Sequence, residues 1–277
     1  MSSTTNPDPD ASAPAFIPLE ANPELMTSLL RKLGLSSALQ VHDVYSISEP
    51  ELLAFIPRPT LALLLVFPVS ATYESARLAE DAGVEEYKGK GEAEPVVWWK
   101  QTIRNACGLM GLLHAVSNGQ ARNFIGMLHL NSSYPSPYLP KLQETKLITS
   151  TKSAEKDTPL SDLLAQSIPL APTERSALLE KTPALAAAHH EAASQGQTAA
   201  PDAQDDVDLH YVCFVKTDDG TLWELDGRRK GPIARGNLDA NEDVLSEKAL
   251  LWGPLKFLER GGGDMRFSCV ALAGSLD

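Results

Sequence analysis

The chain is poor in cysteine: Cys107, Cys213 and Cys269 are the three among 277 residues. An odd count at such wide spacing supports neither a disulfide framework nor a cysteine-based zinc site, and it suits a reducing cytosol. Long apolar runs are missing too. The longest, Leu61 to Phe67, falls far short of the roughly 18 residues that a membrane helix needs. The opening Met1 to Ala15, MSSTTNPDPDASAPA, has no basic start and no apolar segment, so a loose tail over residues 1–15 is expected rather than a secretory signal. Basic residues are outnumbered, 24 Lys and Arg against 36 Asp and Glu. The resulting net charge of −12 opposes general nucleic-acid binding and favours a basic partner. A hydrophobic fraction of 43% excludes a wholly disordered chain. The length allows either two domains or one large α/β domain with loop insertions.

What is present reads as alternating helices and strands. Asn22, Pro23 and Glu24 form a helix start, because Asn accepts from free first-turn amides and Pro fits the first helical position, and Gly34 ends that helix. Leu25, Leu29, Leu30 and Leu33 give it one apolar stripe. Val41 to Ile47 and Thr60 to Phe67 read as strands, the second apolar enough to be covered on both faces. Residues 74–95 suggest a helix and then a polar loop, and Ala106 to Ser117 a helix carrying Leu109, Leu112, Leu113 and Val116. Pro159 to Ser167 and Thr173 to Glu180 are expected as short helices.

Leu209 to Lys216 and Thr221 to Leu225 flank the turn Thr217-Asp218-Asp219-Gly220 as a hairpin. A helical stretch around Asn241 to Leu258, a Gly261–Gly263 break and a last strand from Met265 to Leu272 close the chain. Asn131 to Pro159 and Lys181 to Asp208 show no clean period and read as loops or insertions. The pattern implies a layered α/β core.

Cys107 sits where a loop meets a helix, and a thiol there has its anion stabilised by free amides and the helix dipole. Taken alone, such a cysteine is more often a small buried residue. A nucleophile needs a base, and six histidines are available. His42 has no matching partner in its strand, and His189 and His190 fall in the Ala-rich loop. His114 lies seven residues along the same helix, about 10 Å away at 1.5 Å per residue, which makes it a packing histidine. His210 opens the hairpin strand, on the face opposite Tyr211 and Cys213. Pairing Lys216 with Thr221 would set His210 opposite Gly227 and next to Asp226, which delivers an acid to orient the ring. Gln101, six residues before Cys107, can supply a side-chain amide to an oxyanion.

Gln101, Cys107, His210 and Asp226 thus stand in papain order. The segment from Lys100, KQTIRNACGLMGLLHAVSN, strongly resembles the active-site segment of the ubiquitin carboxyl-terminal hydrolases. FIPLEANPE, VHDVYSI, PELLAFIPRP and DLHYVCFVKTDDGTLWELDGR resemble further family segments in the right order, over most of Phe16 to Ala273. The resemblance implies a papain-like α/β/α fold around an antiparallel sheet, with a knotted backbone. It implies one catalytic domain over 16–277 of the short type without a C-terminal extension. That domain would carry an insertion near 131–159 and a crossover loop near 181–208. Residue by residue, it makes Cys107 the nucleophile, His210 the general base and then acid, Asp226 its orienter and Gln101 the oxyanion donor. Asn105 matches a position beside the nucleophile, and Leu19, Glu20, Asp43 and Leu209 match positions near bound ubiquitin.

The expected reaction is thiol hydrolysis after ubiquitin's C-terminal glycine, without a metal or organic cofactor. The expected partners are ubiquitin and C-terminally extended ubiquitin, with NEDD8 as a further candidate, and the expected state is a cytoplasmic monomer that also enters the nucleus. Three residues depart from the pattern: Arg104 stands where a small residue is usual, and Trp98 and Trp99 are bulky for the approach to Gln101. Two rivals stay open. An acyltransferase would pass the acyl group to an added amine, and a non-catalytic ubiquitin-binding module would lack thiol reactivity at Cys107.

Overall fold

The computed structural model describes residues 14–126, 158–197, 203, 207–260 and 266–276. Its elements run α1 (Pro23–Leu33), β1 (Leu39–Asp43), α2 (Pro50–Leu53), β2 (Ala62–Pro68), α3 (Ala71–Asp81), α4 (Cys107–Ser117), α5 (Pro159–Ser167), α6 (Pro172–Glu180), α7 (Pro183–Ala193), β3 (Leu209–Lys216), β4 (Thr221–Leu225), β5 (Ile233–Asn237), α8 (Glu247–Trp252), α9 (Pro254–Arg260) and β6 (Ser268–Gly274). One six-stranded sheet has the order β1-β6-β2-β3-β4-β5, with every neighbouring pair antiparallel. Helices cover both faces. Leu64, Val66, Tyr211 and Cys213 join the core under α1, α4 and α7. Leu63, Leu65, Val212 and Phe214 join the core with Ala249, Leu250 and Phe257 on the other side. β2 is therefore buried along its whole length, as its unbroken apolar run requires.

Local signals explain several elements. The Asn22 side chain accepts from the amides of Glu24 and Leu25 to start α1, and Gly34, at φ +108°, ends it in the left-handed region. Thr158 and Ser161 form a capping box that opens α5. A run that is apolar all round belongs inside a protein, and α4 is buried from Gly108 to Ser117.

Two expectations need correction. The 181–208 stretch contains helix α7, whose buried Leu185, Ala188, His189 and Ala192 follow a helical spacing and pack against α1. Its period is faint because alanine differs little from its neighbours in polarity. The hairpin register is shifted by one: Lys216 pairs with Leu222, and Cys213 with Leu225. The loop has three residues, Asp218 to Gly220, closed by the Thr217 amide on the Thr221 carbonyl at 3.0 Å with Gly220 at φ +88°. A glycine in the left-handed region after a turn is the bulged form that adds this one-residue offset.

Smaller differences concern boundaries. The first strand is Leu39–Asp43, and the helical stretch near the C-terminus starts at Glu247 and breaks at Gly253 before Pro254. The expected tail, the 131–159 insertion and the Gly261–Gly263 break lie outside the described residues, apart from Pro14, Ala15, Thr158 and Pro159. Ala15 pairs with Arg104. The expected knot depends on the path of the whole backbone, part of which also lies outside the described residues.

Between α6 and the segment before α4 sits a fully buried ion pair, Arg175 with Glu94. Arg175 also donates to the carbonyls of Ser167 at 2.9 Å and Trp98 at 3.3 Å, which ties α5, α6 and the approach to Gln101 together. Removing one partner leaves the other charge buried and unpaired. Glu94→Ala should therefore lower unfolding free energy by about 3–5 kcal/mol, measured by urea denaturation with an unchanged m-value.

Candidate active site

The site is built where α4 begins. Asn105, at φ +58°, turns the chain through the left-handed region, which Asn tolerates better than most residues, and this places Cys107 on the first helical position. Ala106 precedes it without a side-chain cap, so first-turn amides stay available to an anion. Cys107 is partly exposed, whereas Cys213 and Cys269 are buried. Burial pushes the Cys269 thiol up to about 12 and the Cys213 thiol further still, so neither ionises near neutrality.

His210 and Asp226 meet as a buried pair, Nε2 to Oδ1 at 2.7 Å. The shifted register carries Asp226 past the last paired residue of β4, and it is the loop after Leu225 that delivers the acid. Burial disfavours the His210 imidazolium, but the Asp226 charge and hydrogen bond outweigh it, with a smaller contribution from Cys107, and raise its pKa to about 9. Cys107 lies close enough to the ring to contribute to this shift. With Nε2 held by Asp226, Nδ1 is the nitrogen left to exchange a proton with Sγ. Burial would raise the Asp226 carboxyl, yet His210 and Arg228 hold it well below its ordinary value.

Gln101 lies beside this pair. Its backbone amide donates to the Gly227 carbonyl at 2.9 Å. A Cβ on Gly227 would come within 2.9 Å of the Gln101 Cβ, so glycine permits the approach. One N–H of the Gln101 amide donates to the Ile103 carbonyl at 3.1 Å, which leaves the second for a reacting oxygen. Trp98 and Trp99 do not crowd this approach, because both are fully buried. Trp98 donates its indole N–H to the Asp226 carbonyl at 3.1 Å, and Trp99 donates to Ser117 Oγ at 3.2 Å. His114 is the expected packing residue: its Nε2 accepts from the Trp99 amide at 2.9 Å, and burial lowers its pKa to about 3, which keeps it neutral. The Arg104 backbone pairs with Pro14 and Phe16, and Arg104 is absent from the cavity wall.

Cys107 opens into a cavity of about 400 Å³ lined also by Leu19, Glu20, Asn105, Leu209 and Tyr211. Four of the five expected substrate-contact residues are thus brought together. Asp43 is not among them; it ends β1, exposed, opposite Val270. Two backbone groups from the stretch after α7 reach this cavity wall: the Gln197 amide donates to Glu20 at 2.8 Å, and the Ala203 carbonyl accepts from Asn105 at 3.0 Å.

The sequence profile of Peptidase_C12, described as ubiquitin carboxyl-terminal hydrolase, family 1, matches residues 16–135 and 143–251. The chain belongs to this family. Ubiquitin carboxyl-terminal hydrolase isozyme L1 from Rattus norvegicus is 35% identical over 259 residues, and the human isozyme L1 is 34% identical over 255. Both alignments span 92% of this chain and 96% of the relative. Among solved structures, the Trichinella spiralis UCH37 catalytic domain bound to ubiquitin vinyl methyl ester superposes with a TM-score of 0.61 at 18% identity, over 94% of this chain and 95% of that one. That similarity is one of fold. As a member of family 1, the chain is a cysteine-type peptidase.

Three supporting residues escaped sequence reasoning. Tyr73 donates its hydroxyl to Asp226 Oδ2 at 3.2 Å, Trp98 holds the Asp226 backbone, and Tyr211 donates to the Leu19 carbonyl at 2.8 Å across the cavity wall. A tryptophan beside an active-site segment was the one available hint. Because the His210 proton is held up to about pH 9, activity should fall above that pH. Asp226→Asn removes the charge that opposes burial, so the alkaline limb of kcat/KM should move below 9, and kcat should drop about a hundredfold or more. A pH–rate profile on a fluorogenic ubiquitin C-terminal amide measures both effects.

Proposed function

We propose that the chain hydrolyses the bond after the C-terminal glycine of ubiquitin, and that Cys107, His210, Asp226 and Gln101 carry the reaction. The observation that carries this reading is the partly exposed Cys107 at the start of α4, beside a histidine that a buried carboxylate keeps protonated. An adjacent histidine of this kind is what activates a cysteine nucleophile. The thiolate attacks the glycine carbonyl, and the Gln101 amide and the first-turn amides of α4 stabilise the developing oxyanion. His210 then gives its proton to the leaving amine. Water, deprotonated by His210, releases ubiquitin from the thioester.

The net charge of −12 favours encounter with ubiquitin's basic tail, and Glu20 offers a negative charge at the cavity. NEDD8, with a related tail, is a second substrate in this reading. The enzyme acts as a monomer in cytoplasm and nucleus. Asp43 supplies a contact to the body of ubiquitin rather than to its tail, since it stands apart from the cavity.

The Gln197 and Ala203 contacts to Glu20 and Asn105 support a strap across the cleft. Folded protein cannot pass beneath such a strap, so the leaving group is small or unstructured.

Two measurements test this. A ubiquitin vinyl-type probe should label the wild-type enzyme once, and Cys107→Ser should abolish both labelling and turnover; label on Cys213 or Cys269 would refute the assignment. Ubiquitin–peptide fusions should be cleaved far faster than di-ubiquitin, and cutting the chain between Glu191 and Gln204 should narrow the difference. Equal cleavage of both substrates by the intact enzyme would remove the size filter.

A further inference from the structure

Asp226 presents two carboxylate oxygens, and the His210 contact occupies one. Oδ1 accepts from His210 Nε2 at 2.7 Å and from the Arg228 amide at 2.8 Å. Oδ2 faces α3, where the Tyr73 hydroxyl donates to it at 3.2 Å. Tyr73 is only 3% exposed, and its ring is held by Phe67 at 4.6 Å, edge to face, and by Phe257 at 5.7 Å. Phe67 in turn meets the His210 ring edge to face at 5.8 Å. His210, Asp226, Tyr73 and Phe67 therefore close a ring of contacts drawn from four separate segments of the chain.

A carboxylate fastened through one oxygen can still pivot about its last side-chain bond, whose torsion has broad minima. Fastening the second oxygen to a different element removes that freedom. α3 is well suited to the task. Ser70 caps it by accepting from the Tyr73 amide at 3.1 Å, and Arg77, paired with Glu74, donates to the Arg228 carbonyl at 3.4 Å. The helix thus grips the chain at Asp226 and again two residues beyond it. Burial together with the Asp226 and Glu224 charges holds the Tyr73 phenol far above its ordinary pKa, so it stays an O–H donor.

We propose that Tyr73 is a positioning residue for hydrolysis, fixing the rotation of the Asp226 carboxylate and, through it, the plane in which the His210 ring faces Cys107. This rests on the thiol-hydrolase reading above.

The test compares wild type, Tyr73→Phe, Asp226→Asn and the double variant by kcat and KM on a fluorogenic ubiquitin amide. The downfield proton resonance of the His210–Asp226 hydrogen bond gives a readout independent of turnover. Tyr73→Phe keeps the ring and its stacking and removes only the hydroxyl. Its kcat should fall about tenfold, the scale of one lost hydrogen bond to a charged group, with KM unchanged. The resonance should shift or broaden. In the Asp226→Asn background the same change should cost nothing more. Replacing Tyr73 by 3-fluorotyrosine, which keeps shape and donor, should preserve turnover. Wild-type kcat and an unaltered resonance in Tyr73→Phe, or an equal loss in both backgrounds, would overturn the proposal even if thermal stability fell. If the wild-type enzyme turned over no ubiquitin substrate, the functional reading would fail, and the resonance comparison would still decide the role of Tyr73.

Discussion

A carboxylate is buried at the centre of this protein, and much of the surrounding chain serves to keep it charged. Asp226 is 1% exposed, and an unpaired carboxylate so deep would cost several kcal/mol. It is matched instead by His210, by the amide of Arg228 and by the hydroxyl of Tyr73, while Trp98 holds its backbone carbonyl. These partners come from β3, from the loop after β4, from α3 and from the stretch before α4. Meeting the needs of one side chain therefore fixes how the sheet, one covering helix and the Gln101 segment sit against each other. The same arrangement holds a proton on His210, so the fold and the reactivity share one electrostatic origin.

The helix α4 separates stability from chemistry along its own length. Its body is packed among sheet and helix residues, and Gly108 and Gly111 let it approach Leu19 and Leu64 so closely that an added Cβ would stand 3.0 Å from either side chain. Its first residue, Cys107, opens instead to the cavity. A rigid, buried body aims an open, uncapped end, and such preorganisation is what an oxyanion site requires. The stretch before it is held just as firmly. Asn118 bonds both the amide and the carbonyl of Val97, His114 takes the Trp99 amide, and Gly227 takes the Gln101 amide.

Conservation of this frame outlasts sequence similarity. The solved UCH37 catalytic domain shares 18% of aligned residues with this chain and still superposes with a TM-score of 0.61. In this chain the frame rests on a central strand buried on both faces, β2, and a buried helix beneath it, α4, a pattern that many apolar sequences can supply.

Much of this was legible in the residues themselves. The Asn22–Pro23 start and Gly34 stop delimit α1, the continuous apolar run marks β2, and Pro159 to Ser167 reads as α5, because each signal acts between residues at most a few positions apart. The choice of Cys107 over Cys213 and Cys269 also followed from local context, the start of a helix, and the motif wording around it supplied the family. Other features were settled only in three dimensions. The hairpin shifted by one residue because Gly220 adopts a bulged turn, which its sequence permits without requiring. α7 escaped notice because alanines mark a buried face weakly, and its burial depends on α1 being there to receive it. Trp98 and Trp99 looked like obstacles until the core took them in. Tyr73 lies 153 positions from Asp226. Sequence rules describe what a residue prefers among its neighbours along the chain, whereas the pairing of a buried hydroxyl with a buried carboxylate depends on which surfaces folding brings together.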